Sequence, residues 1–251
     1  MKKVEFVCNL CSHENSVDED SLGRERHGCL KCGSTGRHRE TVYSFSKIRK
    51  RNARSRYEVI GLSDHAFIEK YFSELPKASY QNTYYDTEPM LDVTNPARKH
   101  HKAADLLINS EVLEHVMFPW QKALSGSFKI LKPGGHLILT VPYKKNGISV
   151  EKYAHLASYE VSETGEVSGT NFNNEIVTVE DPIFHGGPGN TLEMRILSLA
   201  VILDALRECG FINIVVDDED VSTFGIVRGD EVGVIVAQRP SFKDLFKLIS
   251  H

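Results

Sequence analysis

Four of the five cysteines fall in two pairs, Cys8-Asn-Leu-Cys11 and Cys29-Leu-Lys-Cys32, with 17 residues between the pairs. Two residues between cysteines let a tight turn aim both thiolates at one ion, and a second such turn completes a tetrahedral site with Zn–S bonds near ~2.3 Å. Gly33, directly after the last of the four, suits the positive φ of such a turn. A closed four-thiolate site has no open position for substrate, so the spacing predicts a structural zinc that folds an amino-terminal head and does no chemistry. The alternatives are a pair of disulfides or four unrelated buried thiols. Nothing marks the chain as secreted, and reducing compartments keep thiols free. Cys209, alone in an expected helix, reads as a small core hydrophobe.

The rest of the 251-residue chain has the make-up of one or two globular domains, with 41% hydrophobic and 25% charged residues. No apolar run approaches the roughly 18 residues that cross a bilayer, and the amino end carries Lys2, Lys3 and Glu5, so the chain reads as soluble and cytoplasmic, with no membrane partner. Charge is uneven. Residues 1–60 hold 13 Lys and Arg against 8 Asp and Glu, and residues 61–251 hold 17 against 26. The steepest stretch runs from Arg24 to Arg56, opposed only by Glu25 and Glu40. Such a patch could touch phosphate or another polyanion, or part of it could offset the charge of a four-thiolate zinc. The other reading is a solvated helix from about Arg37 to Arg54, with Val42, Phe45 and Ile48 on its buried side.

From Tyr57 onward strands and helices alternate in the manner of an α/β domain. Tyr57–Leu62 reads as a first strand, Ala66–Leu75 as a helix, Tyr80–Tyr85 as a second strand and Leu91–Thr94 as a short third. Asp105–Asn109 suits a buried strand, Trp120–Leu131 an amphipathic helix, Lys132-Pro133-Gly134-Gly135 a type II turn, and His136–Val141 a fifth strand. Thr191–Cys209 has the spacing of a long helix, with Leu192, Ile196, Leu199, Leu203 and Leu206 on one face, Asn190 as its cap and Glu193 three residues on. Ile212–Val216 and Val232–Ala237 read as closing strands. Residues 142–190 show weak periodicity, which in so long a stretch signals a lid, a substrate pocket or an interface. The expected organisation is a head at 1–50, zinc ribbon plus basic helix, and a second domain at 51–251 with an insertion at about 143–190.

The segment Ala104–Tyr143, ADLLINSEVLEHVMFPWQKALSGSFKILKPGGHLILTVPY, resembles the second half of a class I S-adenosylmethionine-dependent methyltransferase. Phe184–Arg195, followed by a long helix and Gly210-Phe211, is similar to zinc-ribbon members of that family found among bacterial sugar and surface-glycan genes. The resemblance covers about residues 57–240. It implies a Rossmann-like α/β fold: a seven-stranded, mostly parallel sheet with helices on both faces, the last strand antiparallel, and S-adenosylmethionine across the carboxyl ends of the first strands. It also implies cofactor contacts from Gly61, Leu62, Ser63 and Asp64, from Ser110 and Glu111, and from Asp86 on the ribose hydroxyls, with Glu88 as a neighbour that could take that role and Asp92 near the adenine. The chain departs from the pattern at Gly61-Leu62-Ser63-Asp64-His65, where a glycine-rich turn is usual and only one glycine stands.

Methyl transfer is an in-line displacement, so the protein mainly aligns the acceptor and removes its proton. By position Glu114 and His115 are the catalytic candidates, with His115 as general base. The bland alternative is that they hydrogen-bond the loop or pack beside the cofactor. Glu111, Glu114 and His115 can also share one side of a helical turn and, with the remote His185 or His155, suit a hard divalent ion such as magnesium or manganese. The expected activity is O-methylation of a sugar, nucleotide-sugar or related small metabolite. Two competing readings are an RNA methyltransferase whose basic head grips phosphates and a non-catalytic binding module.

Overall fold

A computed structural model describes residues 2–185, 191–228 and 232–244. At the amino end β1 (Lys3–Val7) and β2 (Glu14–Asp18) form an antiparallel hairpin whose turn carries Cys8 and Cys11. The second cysteine turn leads within four residues into α1 (Gly36–Arg51). This helix starts and ends close to the expected basic helix, and Val42, Phe45 and Ile48 are buried as expected. Arg39 and Glu40 are also buried, at 0% and 2% exposure.

The central sheet is built from β3 (Tyr57–Leu62), β4 (Ala78–Thr83), β5 (Ala104–Ser110), β6 (Leu131–Thr140) and two late strands. Between β6 and those come β7 (Tyr143–Lys144), β8 (Val150–Glu151), β9 (Leu156–Val161), β10 (Val167–Asn171), β11 (Ile176–Val179), β12 (Phe184–His185), β13 (Thr191–Leu192) and β14 (Arg195–Ser198). The late strands are β15 (Ile212–Asp217) and β16 (Val234–Gln238), and the helices after α1 are α2 (Ala66–Ser73), α3 (Gln121–Ile130) and α4 (Leu199–Glu208). The sheet order is β15-β16-β6-β5-β3-β4. Pairs β3–β4, β3–β5 and β5–β6 are parallel, and β16 is antiparallel to both its neighbours.

Alternation along the buried strands sorts the core into two layers. Val59, Leu106, Ile108 and Ile138 pack with α1 and α2 through Phe45, Ile48, Ile68 and Phe72. Ile60, Leu107, Leu137 and Leu139 pack with α3 and α4 through Leu124, Ile130, Ile202 and Leu206. Helices therefore cover both faces, as expected. Residues 143–185 carry the antiparallel meander β9–β11, whose Leu156, Val167 and Val179 form a small core with Leu192 and Met194.

Three expectations are corrected. The described residues place six strands in the central sheet, not seven, because Leu91–Thr94 is not a strand. There the Asp92 carboxylate accepts from the Thr94 amide and hydroxyl at 2.8 and 2.7 Å, and the Asn95 amide turns back to the Asp92 carbonyl at 3.2 Å, so local bonds replace a ladder. Thr191–Cys209 is not one helix. Its first eight residues are extended in β13 and β14, pairing with β12, β7 and β8, and α4 begins only at Leu199. The leucine spacing suited both patterns, and the buried Arg195, which needs partners on three other segments, decides for the strand. Asn190, the expected cap, lies outside the described residues. Third, Lys132–Gly135 does not precede its strand but lies within β6, as a bulge between the Ala104–Leu131 and Leu106–His136 pairs.

The segment 91–94 is instead the seat of α3: a Cβ on Gly126 would lie 1.7 Å from the Val93 carbonyl oxygen. A backbone atom cannot step aside as a side chain can. Gly126→Ala is therefore expected to destabilise the fold by about 1–3 kcal/mol, the usual cost of overpacking. Urea unfolding should show a lower midpoint with an unchanged slope.

Candidate functional site

The four cysteines of the head converge as their spacing predicts. All four Sγ atoms lie within 4.8 Å of one another, with Cys8 to Cys32 at 3.8 Å and Cys11 to Cys29 at 3.6 Å. The edge of a tetrahedron with ~2.3 Å bonds is about 3.8 Å, close to both of these separations, so the donor set is compatible with one zinc ion. None of the four is in a disulfide. Arg39, one of the cations of the basic patch, lies close to this cluster: it donates to the Ser34 and Gly225 carbonyls and feels the charge of Cys8, Cys29 and Cys32.

The head is docked on the carboxyl ends of β3 and β5. Arg24, 8% exposed, makes a two-pronged ion pair with Glu111, Nη2 to Oε1 at 2.5 Å and Nη1 to Oε2 at 3.2 Å. Arg37 donates to Ser110 Oγ at 2.7 Å and to both oxygens of Glu25 at 2.8 and 3.0 Å. Burial alone would raise the Glu111 pKa, but the Arg24 and Arg37 guanidiniums outweigh it and hold the carboxylate below its ordinary range. Three of the cations in the Arg24–Arg56 patch, Arg24, Arg37 and Arg39, are thus turned toward the protein and do not form one outward surface.

At the end of β3 the chain turns through Ser63, whose φ is +55°, into Asp64. Asp64 is 7% exposed, accepts from the Tyr80 hydroxyl at 3.0 Å, and exchanges backbone bonds with the Asn82 amide. Its carboxyl and the Tyr80 hydroxyl fill the space above Gly61: a Cβ there would meet them at 2.2 and 2.4 Å. Burial pushes the Asp64 carboxyl up to about 8, against the lowering effect of the Tyr80 bond. Asp86 and Glu88 lie exposed in the loop after β4, and Asp92 is engaged with Thr94 as described.

Directly after β5 the chain makes a single 3-10 turn, Leu113–His115. Glu114 is 1% exposed, and neither carboxyl oxygen has a hydrogen-bond partner. Its Oε1 lies 3.7 Å from His115 Nε2 and 3.7 Å from His185 Nδ1. Burial, and then the negative charge of Glu111, raise the Glu114 pKa well above the carboxylate range. His115 Nδ1 donates to the Leu192 carbonyl at 2.9 Å, and burial lowers its pKa. His185 Nε2 donates to Glu193 at 2.9 Å, and Glu193 also pairs with Lys152. Fully buried Arg195 pins the turn by donating to the Leu113 and Val116 carbonyls while pairing with Glu151.

The structure therefore brings together Glu114, His115 and His185 of the predicted set. It leaves Glu111 with Arg24 and His155 exposed outside the cluster. Arg24 is expected in the basic patch and Glu193 in a helix cap, and Arg195 has no expected role; the structure puts Arg24 on Glu111, Glu193 on His185 and Arg195 on the turn after β5.

No protein-family model matches the chain, and no curated protein matches it. Among solved structures it is similar to the CurJ carbon methyltransferase, at 16% identity and a TM-score of 0.50, over 90% of this chain and 62% of that one. The fold is that of the class I methyltransferases. Other similar structures are the Burkholderia thailandensis 1,6-didemethyltoxoflavin-N1-methyltransferase, bound to S-adenosylhomocysteine, at 11% identity, TM-score 0.43, over 80% of this chain and 79% of that one, and the amino-terminal domain of EvdMO1, determined in the presence of SAH and D-fucose, at 14%, 0.46, 80% and 83%. At these identities the likeness concerns the fold alone. Among the described residues the central sheet has six strands, with β16 antiparallel and next to the edge. Among the described residues no helix is long and apolar enough to cross a membrane.

The raised Asp64 pKa has a testable sign. Between the ordinary carboxyl value of 3.8 and about 8, the folded protein holds a proton that the unfolded chain releases, so this group lowers stability as pH rises across that window. Asp64→Asn should remove the decline. The melting temperature of the variant relative to the parent should climb from pH 4 to pH 8 and level off above it.

Proposed function

We propose that this protein is an S-adenosylmethionine-dependent methyltransferase that acts on an oxygen of a sugar, nucleotide-sugar or related small metabolite. One observation carries the reading: in a methyltransferase fold, the turn after β5 presents a buried carboxyl and an imidazole, joined by the imidazole of His185 from β12, beside the strand ends where such folds hold their cofactor. The bound cofactor supplies an electrophilic methyl group on its sulfonium. We assign Gly61, Leu62, Ser63, Ser110 and Glu111 to it at the strand ends, where Arg37 and Arg24 of the head already hold Ser110 and Glu111 and would share them with it, and Asp86 and Asp92 to its ribose and adenine.

His115 is suited to handle the acceptor proton. Its Nδ1–H is committed to the Leu192 carbonyl, which leaves the Nε2 lone pair facing the Glu114 carboxyl, and burial favours the neutral ring. Arg24, Arg37 and Arg39 turn inward, whereas Arg26, Lys31, Arg49, Lys50, Arg51 and Arg56 stay exposed, so an RNA-gripping head would keep only part of its basic surface.

A second reading, a binding module without catalysis, is favoured by the way Asp64 and Tyr80 fill the space above Gly61. Isothermal titration with S-adenosylhomocysteine separates the two. Binding is expected, and its absence would overturn the enzyme reading. Asp86→Ala should weaken that binding by about 1.5–3 kcal/mol, the range for hydrogen bonds to a charged group, with no change in the melting temperature of the free protein. The cysteine cluster is assigned to structural zinc. Metal analysis should find about one ion per chain held there, and Cys29→Ser should lose it and lower the melting temperature, because metal binding and folding of the head are linked.

A further inference from the structure

From Glu114, His115 and His185 we infer a second metal site, one that takes a divalent ion of the manganese, iron, cobalt or zinc class and keeps positions open for an oxygen ligand. The case rests on where the hydrogens are already committed. A carbonyl and an ionised carboxylate can only accept, so the bonds at 2.9 Å to Leu192 and Glu193 place protons on His115 Nδ1 and His185 Nε2. In the neutral rings the lone pairs then sit on His115 Nε2 and His185 Nδ1. Both point at the same carboxyl oxygen of Glu114 from 3.7 Å, too far for a hydrogen bond. The two rings stand perpendicular, 4.8 Å apart.

Three acceptors thus converge with no donor among them, and the carboxyl at their centre is 1% exposed and unpartnered on both oxygens. A proton on Glu114 could serve only one of the two imidazoles. A divalent cation serves all three, at the price of moving donors that already lie within 4.8 Å of one another by a few tenths of an ångström to reach bonds of ~2.0–2.2 Å. The surroundings have the form of an outer metal shell, in which ligating histidines give their remote N–H to a carboxylate or carbonyl. Glu193, held in turn by Lys152, and the Leu192 carbonyl fill that role.

Arg24 takes Glu111 out of the ligand set, so the donors are two imidazoles and one carboxylate. Imidazole suits manganese, iron, cobalt and zinc better than magnesium, which prefers all-oxygen surroundings. Three protein ligands leave room for water or a substrate oxygen, and with the ion bound His115 Nε2 is a ligand, so the ion would take over from it the task of lowering the acceptor hydroxyl's pKa. That an acceptor hydroxyl occupies it rests on the methyl-transfer reading above; the ion itself does not.

Manganese is the probe, because thiolates at the cysteine cluster disfavour it. Protein given one equivalent of zinc, which the four thiolates take first, and then titrated with MnCl2, followed by calorimetry and by loss of the free-ion paramagnetic resonance signal, should bind one further ion per chain. Glu114→Gln and His185→Ala should abolish that binding while the cysteine zinc and the melting temperature persist, and Glu193→Gln should weaken it about 10–100-fold. A parent protein that binds no manganese, or a Glu114→Gln variant that is folded and binds it unchanged, overturns the site. S-adenosylhomocysteine titration of the same samples reports separately on the cofactor reading, which stands or falls independently.

Discussion

The two-pronged contact between Arg24 and Glu111 joins the two ends of this molecule's chemistry. Arg24 belongs to the loop between the cysteine pairs, and Glu111 is the first residue after β5, held at a φ of +57°. Both side chains are largely buried, at 9% and 20% exposure. Breaking such a pair by removing one partner strands the other charge and costs about 3–5 kcal/mol, although the intact pair adds little net stability. Its consequence is positional. The carboxylate is fixed on the head, so the next carboxyl along, Glu114, is left facing the imidazoles alone.

The same device recurs wherever the chain must hold an irregular segment. Arg228 pairs with Glu40 at 3% exposure on both sides, and Glu40 also accepts from the Val234 amide, which ties the last strand to α1. Arg39 links the cysteine turn to the Gly225 carbonyl, and Arg195 ties the turn after β5 to the insertion. Arg39 and Arg195 give donors to loop carbonyls that no ladder satisfies, whereas Arg228 is used on Glu40 alone. A head of about 35 residues with only a small core at Phe6, Cys8, Val17, Leu22 and Cys29 gains its fixed orientation from these links.

What the sequence made legible follows from how local each signal is. The cysteine spacing and the apolar runs of β3 and β5 carry their structure within a few residues, and they were readable to within one residue at each end. Thr191–Ser198 was misread because its leucines satisfy the helical period while its fate is decided by Arg195 and by Met194, whose amide bonds the Glu114 carbonyl 80 positions away. The inward turn of Arg24, Arg37 and Arg39 was illegible for a related reason: a count of charges records neither side-chain direction nor the partners Glu111, Ser110 and Gly225. Glu114, His115 and His185 could be gathered on paper, but not the withdrawal of Glu111 or the addition of Glu193, which require three dimensions.

Glu114 is the residue the fold explains least as packing. A carboxyl buried without a partner costs on the order of 1–3 kcal/mol even when neutral, and more when charged. A leucine or methionine of similar volume would fill the space without that cost. The surrounding chain nonetheless commits the Leu192 carbonyl, Glu193, Lys152 and Arg195 to holding this turn, its His115 and the His185 of β12 in one geometry. Investment of that kind around an unsatisfied group marks a place shaped for something that arrives from outside, because only an added proton or cation makes the three acceptors compatible. Of the two, a proton leaves one imidazole unserved. The partly exposed edge at His185 gives an ion, and the oxygen it would carry, a way in.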